Sequence, residues 1–361
     1  MPSESGGEAL RYDPEAVKQF TCKVFECLGV SCEDARIAAD VLIEADLRGF
    51  ECHGVARLYH CYLRVKKGLI ETSPKIQIDW RTPATGHCDG GNGIGMVVGW
   101  HAMKTCISRA NETGAAFLAV GRSNHFGIAG YYTSMAHKSG MIGIAMTNAS
   151  PRVVPTGGMR GVFGTNPISV CFPGKKEPSF LLDMATSAVS SGKIDVVLRK
   201  GEEVPPGWVY PSVRPFLDSE DVAPMSVFQY PLGGGEKTGG YKGYGLGMMV
   251  DIFSGVLSGA NFGTRLAASK RPDAEAGIGH FFGALKLSGF REPDAFHADF
   301  QELVRDVRSC PLEPGVEKIH IAGEPEAEMR KENQQKGIRI LPSVLEKLHR
   351  IASELDIKQL Q

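Results

Sequence analysis

The stretch Gly91-Asn92-Gly93-Ile94-Gly95 is the one whose reading decides the fold. It is a GxGxG run that opens a helical pattern over 96–110, in which Val97, Val98, Ala102, Thr105, Cys106 and Ala110 share a face. A dinucleotide-binding βαβ unit needs G-x-G-x-x-G directly after a parallel strand, because the last glycine lets the helix pack on that strand. Here the final spacing is wrong, and no clear parallel strand precedes the run. The second glycine-rich region, Gly233-Gly234-Gly235 with Gly239-Gly240, carries no GK[ST] and is no P-loop. A nucleotide site recognisable by its fingerprint is therefore excluded.

Working outward, the strand-like apolar runs are 115–119, 142–147, 168–171 and 180–182, punctuated by Gly, Pro and Asn. Both ends of the chain read as helical. Asp13-Pro14-Glu15 is a helix start, followed by Val17, Phe20, Val24 and Leu28 at helical spacing and by Gly29 as a stop. Ser31 and Asp34 open a second helix whose apolar face is Ile37, Ala38, Val41, Leu42 and Ala45, ended by Gly49. Residues 293–307 and 342–355 repeat the pattern, the latter with Val344, Leu345, Leu348, Ile351 and Leu355. Such short helices are not stable alone and need a partner surface. The expected architecture is a mixed α/β core over 76–296, with a helical domain assembled from 1–75 and 297–361.

The 361 residues are 42% hydrophobic and 22% charged, ordinary for a globular protein of two domains. A net charge of −1 without a basic block argues against nucleic acid, while one or two arginines suffice for a small anion. No apolar run approaches the ~20 residues that span a bilayer. Residues 1–7 lack the basic and apolar regions of a secretory signal, so a cytoplasmic protein is expected. The nine cysteines form no CxxC pair and the ten histidines no HxH or HxxxH spacing, which fits a reducing compartment and no metal. No GxSxG elbow points to a serine hydrolase.

Four segments are dense in chemistry. Asp46-Leu47-Arg48-Gly49-Phe50-Glu51-Cys52-His53-Gly54-Val55-Ala56-Arg57 offers two arginines for carboxylates and a histidine that titrates near neutrality, against surface arginines and a capping histidine. Ser123-Asn124-His125-Phe126-Gly127 puts a histidine just past a strand, where a general acid/base and a structural histidine are equally served. Thr147-Asn148-Ala149-Ser150-Pro151 and Gly164-Thr165-Asn166-Pro167 offer small donors, as ordinary turns also do. In Leu182-Asp183-Met184-Ala185-Thr186-Ser187 the acid orients a histidine or a ribose, or caps a helix over 186–193.

Taken in order, these segments resemble the malate/L-lactate dehydrogenase-like family, which includes L-sulfolactate dehydrogenases. The resemblance covers nearly the whole chain and continues through Gly192-Lys193-Ile194, Lys242-Gly243-Tyr244-Gly245, Ser258-Gly259-Ala260 and Gly323-Glu324-Pro325-Glu326. It implies an α/β enzyme with a non-Rossmann NAD(P)-binding domain on a mixed, largely antiparallel sheet, NAD being favoured over NADP. It also implies a homodimer with the active site near the subunit interface. The reaction implied is hydride transfer between nicotinamide and a small 2-hydroxy or 2-oxo acid, malate by default. Sulfolactate or ureidoglycolate oxidation and cyclic ketimine reduction are the alternatives within the family; a silent ligand-binding homologue is the alternative outside it.

Carried onto matching positions, the resemblance implies His125, as proton acceptor from the substrate hydroxyl, with His53 and Asp183 as the catalytic residues, and Arg48, His53 and Arg57 as the substrate contacts, Arg48 holding the carboxylate. Cofactor contacts fall on Ser150, Thr165, Asn166, Asp183, Met184, Ala185, Lys242, Gly243, Gly323, Glu324 and Pro325. Two departures stand out. Cys52 replaces the family's serine and is a poorer hydrogen-bonding partner. Val209-Tyr210-Pro211-Ser212-Val213-Arg214-Pro215 stands where relatives carry a turn with Asp and Gly.

Overall fold

The computed structural model describes residues 10–175, 179–190, 192–194, 197, 202–210, 228–266 and 273–360. The polar stretch 1–7 and, of the departure at 209–215, the residues from 211 on lie outside the described residues. Helix α1 (Pro14–Cys27) begins where Asp13 accepts the Ala16 amide at 3.0 Å. Helix α2 (Cys32–Leu47) begins where Ser31 Oγ accepts the Asp34 amide at 3.1 Å, and Gly49 beyond its end takes φ +83°. After α3 (Leu58–Lys66), the partner surface for these helices comes from the far end of the chain. Leu348, Ile351 and Ala352 of the helix Pro342–Glu354 enter one core with Val17, Val24, Leu42 and Tyr62. A ribbon of β1 (Leu10–Tyr12) on β9 (Ile338–Ile340) ties the two ends together, antiparallel, with Leu10 opposite Ile340.

The main sheet has seven strands in the order β2-β3-β4-β8-β5-β6-β7. They are β2 (Gln77–Trp80), β3 (Thr85–Asp89), β4 (Ala115–Ser123), β5 (Met141–Thr147), β6 (Ile168–Phe172), β7 (Phe180–Met184) and β8 (Ile278–Lys286). Among the described residues, β3 and β4 run parallel and every other neighbouring pair antiparallel, so the sheet is mixed and largely antiparallel. Helices α4 (Gly95–Thr113) and α5 (Ala129–Lys138) cover one face, where Val98, Met103, Cys106 and Tyr132 meet Leu118 and Phe282. Val250 of the helix Gly240–Asp251 meets Met146 and Ile168 on the other. No helix among the described residues is long and apolar enough to cross a membrane.

One sequence expectation is corrected here. The glycine run does follow a strand of a parallel pair: β3 leads into it, α4 leaves it, and β4 returns parallel to β3. The turn is nonetheless closed by protein. The amides of Gly90, Asn92 and Gly93 donate to Gly121 O, Arg122 O and Gly90 O at 2.9, 2.8 and 3.0 Å. Gly91 N–H donates to Asp89 Oδ1 at 2.8 Å, so these four amides have no capacity left for a phosphate. A Cβ on Gly95 would lie 2.1 Å from Asn124 O. Asn124 Nδ2 donates back into the turn, to Gly93 O at 2.9 Å and Asn92 Oδ1 at 3.1 Å. The glycines admit the end of β4, and with it the His125 segment.

Candidate functional site

Two short helical turns, Glu51–His53 and Val55–Arg57, redirect the chain after α2. They are anchored from beneath by Asp46, buried in the last turn of α2, whose Oδ2 accepts the Val55 amide at 2.7 Å. Burial raises the Asp46 carboxyl well above the usual carboxylate range. A Cβ on Gly54 would fall 1.9 Å from Asp46 Oδ1, so only glycine fits between the anchor and His53. Arg57 Nε donates to Cys52 O at 2.7 Å. Position 52 thus contributes its carbonyl to the site, an atom that serine and cysteine share. Cys52 also faces the Gly192 segment, where an added Cβ would approach its Cβ to 3.0 Å.

His125 arrives from the other side of the cleft. The β4–β8 register shifts between Val120 and Ser123, with Arg122 at φ +50°, and the strand end turns toward α2. His53 Nδ1 and His125 Nε2 come to 3.3 Å, their rings parallel within 6°. The Gly127 amide donates to His125 Nδ1 at 3.3 Å. That nitrogen must offer a lone pair, so the neutral ring carries its hydrogen on Nε2 and donates it to His53 Nδ1. Burial, reinforced by the Arg57 guanidinium, lowers His53 to about 4. His125 is held well below its ordinary value by burial first, then by Arg57, His53, His60 and His280. The pair is neutral at pH 7.

The structure separates the two arginines that the sequence grouped. Arg48 donates from Nε to Glu44 Oε1 at 2.8 Å and from Nη2 to Ser134 Oγ at 3.2 Å, bracing α2 on α5. Glu44 also accepts from Arg330 Nε, at 3.0 and 3.1 Å. The charge of Arg48 acts on Asp183, whereas that of Arg57 acts on both histidines. Asp183 does not cap a helix over 186–193. It lies within β7, and its Oδ2 accepts the Gly130 amide at 2.7 Å, capping the first turn of α5 across space. Burial pushes Asp183 up to about 6, while the Gly130 amide and Arg48 pull the other way.

Asp183 also lines a cavity of about 190 Å³ with Leu181, Gly323, Pro325 and Glu326. Gly323, at φ +94°, begins the helix Glu324–Lys336 and packs so closely on β7 that a Cβ would lie 2.9 Å from that of Leu181. The Glu324 carboxylate accepts the Ile321 amide at 2.7 Å and pairs with Arg308. The small-residue segments converge as well. Asn166 accepts the Ala149 amide at 3.0 Å and donates to Gly247 O at 2.9 Å, which joins the Ser150 and Thr165 turns to the helix bearing Lys242 and Gly243. Lys242 is exposed, and Gly243 lets that helix sit on Leu232, whose carbonyl would be 2.2 Å from an added Cβ. Met184 ends β7 opposite Ile168, and Ala185 follows it. Among the described residues no group of three or more His, Cys, Asp and Glu is arranged to hold a metal.

Sequence reasoning gave no role to Asp46, Gly130, Ser134 or His280. Asp46 lay inside a quoted segment; His280 carried no signal, being one polar residue in an apolar strand.

The family model for malate/L-lactate dehydrogenase matches residues 12–349. Malate dehydrogenase of Pyrococcus abyssi is 41% identical over 353 residues, covering 98% of this chain and 97% of that protein. Malate/(S)-sulfolactate dehydrogenase of Methanothermus fervidus is 36% identical, covering 96% and 98%. The structure of malate dehydrogenase from Pyrococcus horikoshii superposes with a TM-score of 0.88 at 36% identity, covering 99% of this chain and 98% of that one. The near-complete span of these matches, on an α/β fold with a mixed sheet, makes this chain a member of the malate/L-lactate dehydrogenase family, enzymes that act on hydroxy acids with a nicotinamide cofactor.

Proposed function

We propose that this chain interconverts malate and its 2-oxo acid with NAD. The observation that carries the reading is the neutral His53–His125 pair, 3.3 Å apart, with Arg57 beside both rings. Arg57 takes the carboxylate clamp expected of Arg48, because Arg48 is braced by Glu44 and Ser134. A substrate oxygen entering between the rings accepts a hydrogen bond from His125 Nε2–H and gives its proton to His53 Nδ1. The negative charge of the bound acid raises the pair's proton affinity, which favours that transfer. The clamp and the pair together hold the reacting carbon in place, the main contribution a protein makes to hydride transfer.

The bound nicotinamide supplies the hydride acceptor. The cavity beside Asp183 is large enough for one moiety of such a cofactor, and its carboxylates suit a ribose or a carboxamide. Asp183 and Glu326 would repel a 2′-phosphate, which favours NAD over NADP. Asp183, Gly323 and Pro325 hold that moiety; Ser150, Thr165, Asn166, Met184, Ala185, Lys242 and Gly243 hold the remainder. The joined Ser150–Asn166–Gly247 scaffold supports this, and so does the absence of free amides over 90–93.

The test is a panel of malate, lactate, sulfolactate, ureidoglycolate and a cyclic ketimine, each assayed with both nicotinamide cofactors. Malate with NAD should give the highest kcat/KM; a ketimine ahead of every 2-oxo acid would replace the reading with a reductase. His53→Asn should lower kcat about 100-fold, whereas His125→Gln, which keeps a donor, should lose about 10-fold. The reverse order would return the acceptor role to His125.

A further inference from the structure

His280 lies in β8 with no exposed surface, and burial pushes it down to about 3, so it stays neutral. Both ring nitrogens are engaged: Nδ1 with Thr147 Oγ1 of β5 at 2.7 Å, Nε2 with Ser123 Oγ of β4 at 2.8 Å. The Thr147 hydroxyl donates to Gly279 O at 3.0 Å, so it accepts from Nδ1–H. Nε2 is bonded to the Ser123 hydroxyl, and a hydrogen bond to the Asn124 backbone holds the ring to the same segment. Ser123 is where β4 regains its register after the bulge, opposite Ile278. The ring also lies flat on Phe126, 4.6 Å between centroids and 5° between planes. Phe126 O accepts in turn from the buried Tyr132 hydroxyl.

We propose that His280 is a positioning residue for His125: its hydrogen bond to Ser123 and its stack on Phe126 fix the segment on both sides of His125, and so aim Nε2 at His53. The position of His280 in the middle strand of the sheet makes it a rigid reference, paired with β4 on one side and β5 on the other. An apolar ring in its place would keep the stack and lose the bond that holds the end of the bulge.

The consequence for catalysis rests on the reading that the His53–His125 pair moves the proton. The groups facing His125 are Arg57, His53, His60 and His280, so the environment of the pair is read by its own titration. His280→Phe should lower kcat about 10-fold with KM for malate within about 2-fold, and displace the acid limb of the rate profile. Imidazole nitrogen NMR of the same variant should show His125 losing its fixed Nε2–H tautomer. Ser123→Ala, a smaller change that guards against misfolding, should shift both in the same direction. If the His125 tautomer and the acid limb stay in place in either folded variant, the positioning role is overturned. If the tautomer is lost and kcat is unchanged, positioning stands and the proton-transfer reading fails.

Discussion

At the residue scale, burial and charge push the histidine pair in the same direction. Arg57 and burial act together on His53, lowering it to about 4. A histidine depressed in this way is uncharged at neutral pH and takes up its proton only as pH falls through that value. Malate oxidation, which needs an uncharged acceptor, should therefore hold its kcat/KM from pH 8 down to about 5 and lose it toward pH 4. Asp183, pushed up to about 6, is separated from the pair by saturating NAD: a limb that stays centred between 6 and 7 there and in Asp183→Asn would mean that the free pair is not depressed. The arginines separate by their partners. Arg57→Lys removes the planar fork and should raise KM for malate about 10-fold or more with little change in cofactor affinity. Arg48→Lys should act mainly on stability, through the Glu44 and Ser134 contacts. Equal effects of the two on KM would undo the reassignment.

At the element scale, the turn between β3 and α4 shows how a motif can be present and differently used. Its strand, turn, helix and parallel return strand are those of a nucleotide-binding unit, yet the amides of residues 90–93 are already satisfied. Gly95→Ala would drive a methyl into Asn124 O and should cost about 3 kcal/mol in chemical denaturation, with a loss of activity because His125 follows Asn124. Gly114→Ala meets no neighbour and has only the positive φ of +83° against it, so about 1 kcal/mol is expected. Similar losses at the two positions would mean that the turn does not support the site. The helix ends were legible in the sequence because caps act locally: Asp13, Ser31 and Gly29 do what their types dictate. The ribbon β1–β9 was not legible, since three-residue strands hold only by pairing with each other across the chain.

At the scale of the whole molecule, an apolar stripe stands exposed among the described residues. Along the helix Gly240–Asp251 and the wider turn Ile252–Val256 that continues it, Met248, Ile252 and Val256 stand exposed four residues apart, with Tyr241 two turns further back and Leu257 beside them. Apolar residues at that spacing form a single stripe, adjoining the Lys242 segment. The homodimer that the family resemblance implies would cover it with a second copy and bring the interface to the cofactor side of the site. Met248→Glu with Ile252→Glu should turn a dimer into a monomer in sedimentation velocity and lower activity with it. A wild-type chain that sediments as a monomer at micromolar concentration would sink the idea.

The sequence by itself determined the helix starts and stops, the strand-like runs and the short list of polar segments, because caps, glycines and apolar periodicity work over a few residues. The order of those segments carried the family and pointed to His53, His125 and Asp183. Only the tertiary structure decided what each does. It alone faced His125 with His53, set Arg57 rather than Arg48 beside them, gave Asp183 the amide of Gly130 to hold, and put His280 beneath Phe126. Those choices depend on a bulge, a strand inserted late into the centre of the sheet, and burial, and none of these is encoded at the residues whose chemistry they set. The same holds for Gly91-Asn92-Gly93-Ile94-Gly95: its glycines were visible at once, but that Gly95 makes room for Asn124 depended on which atoms lay across the turn.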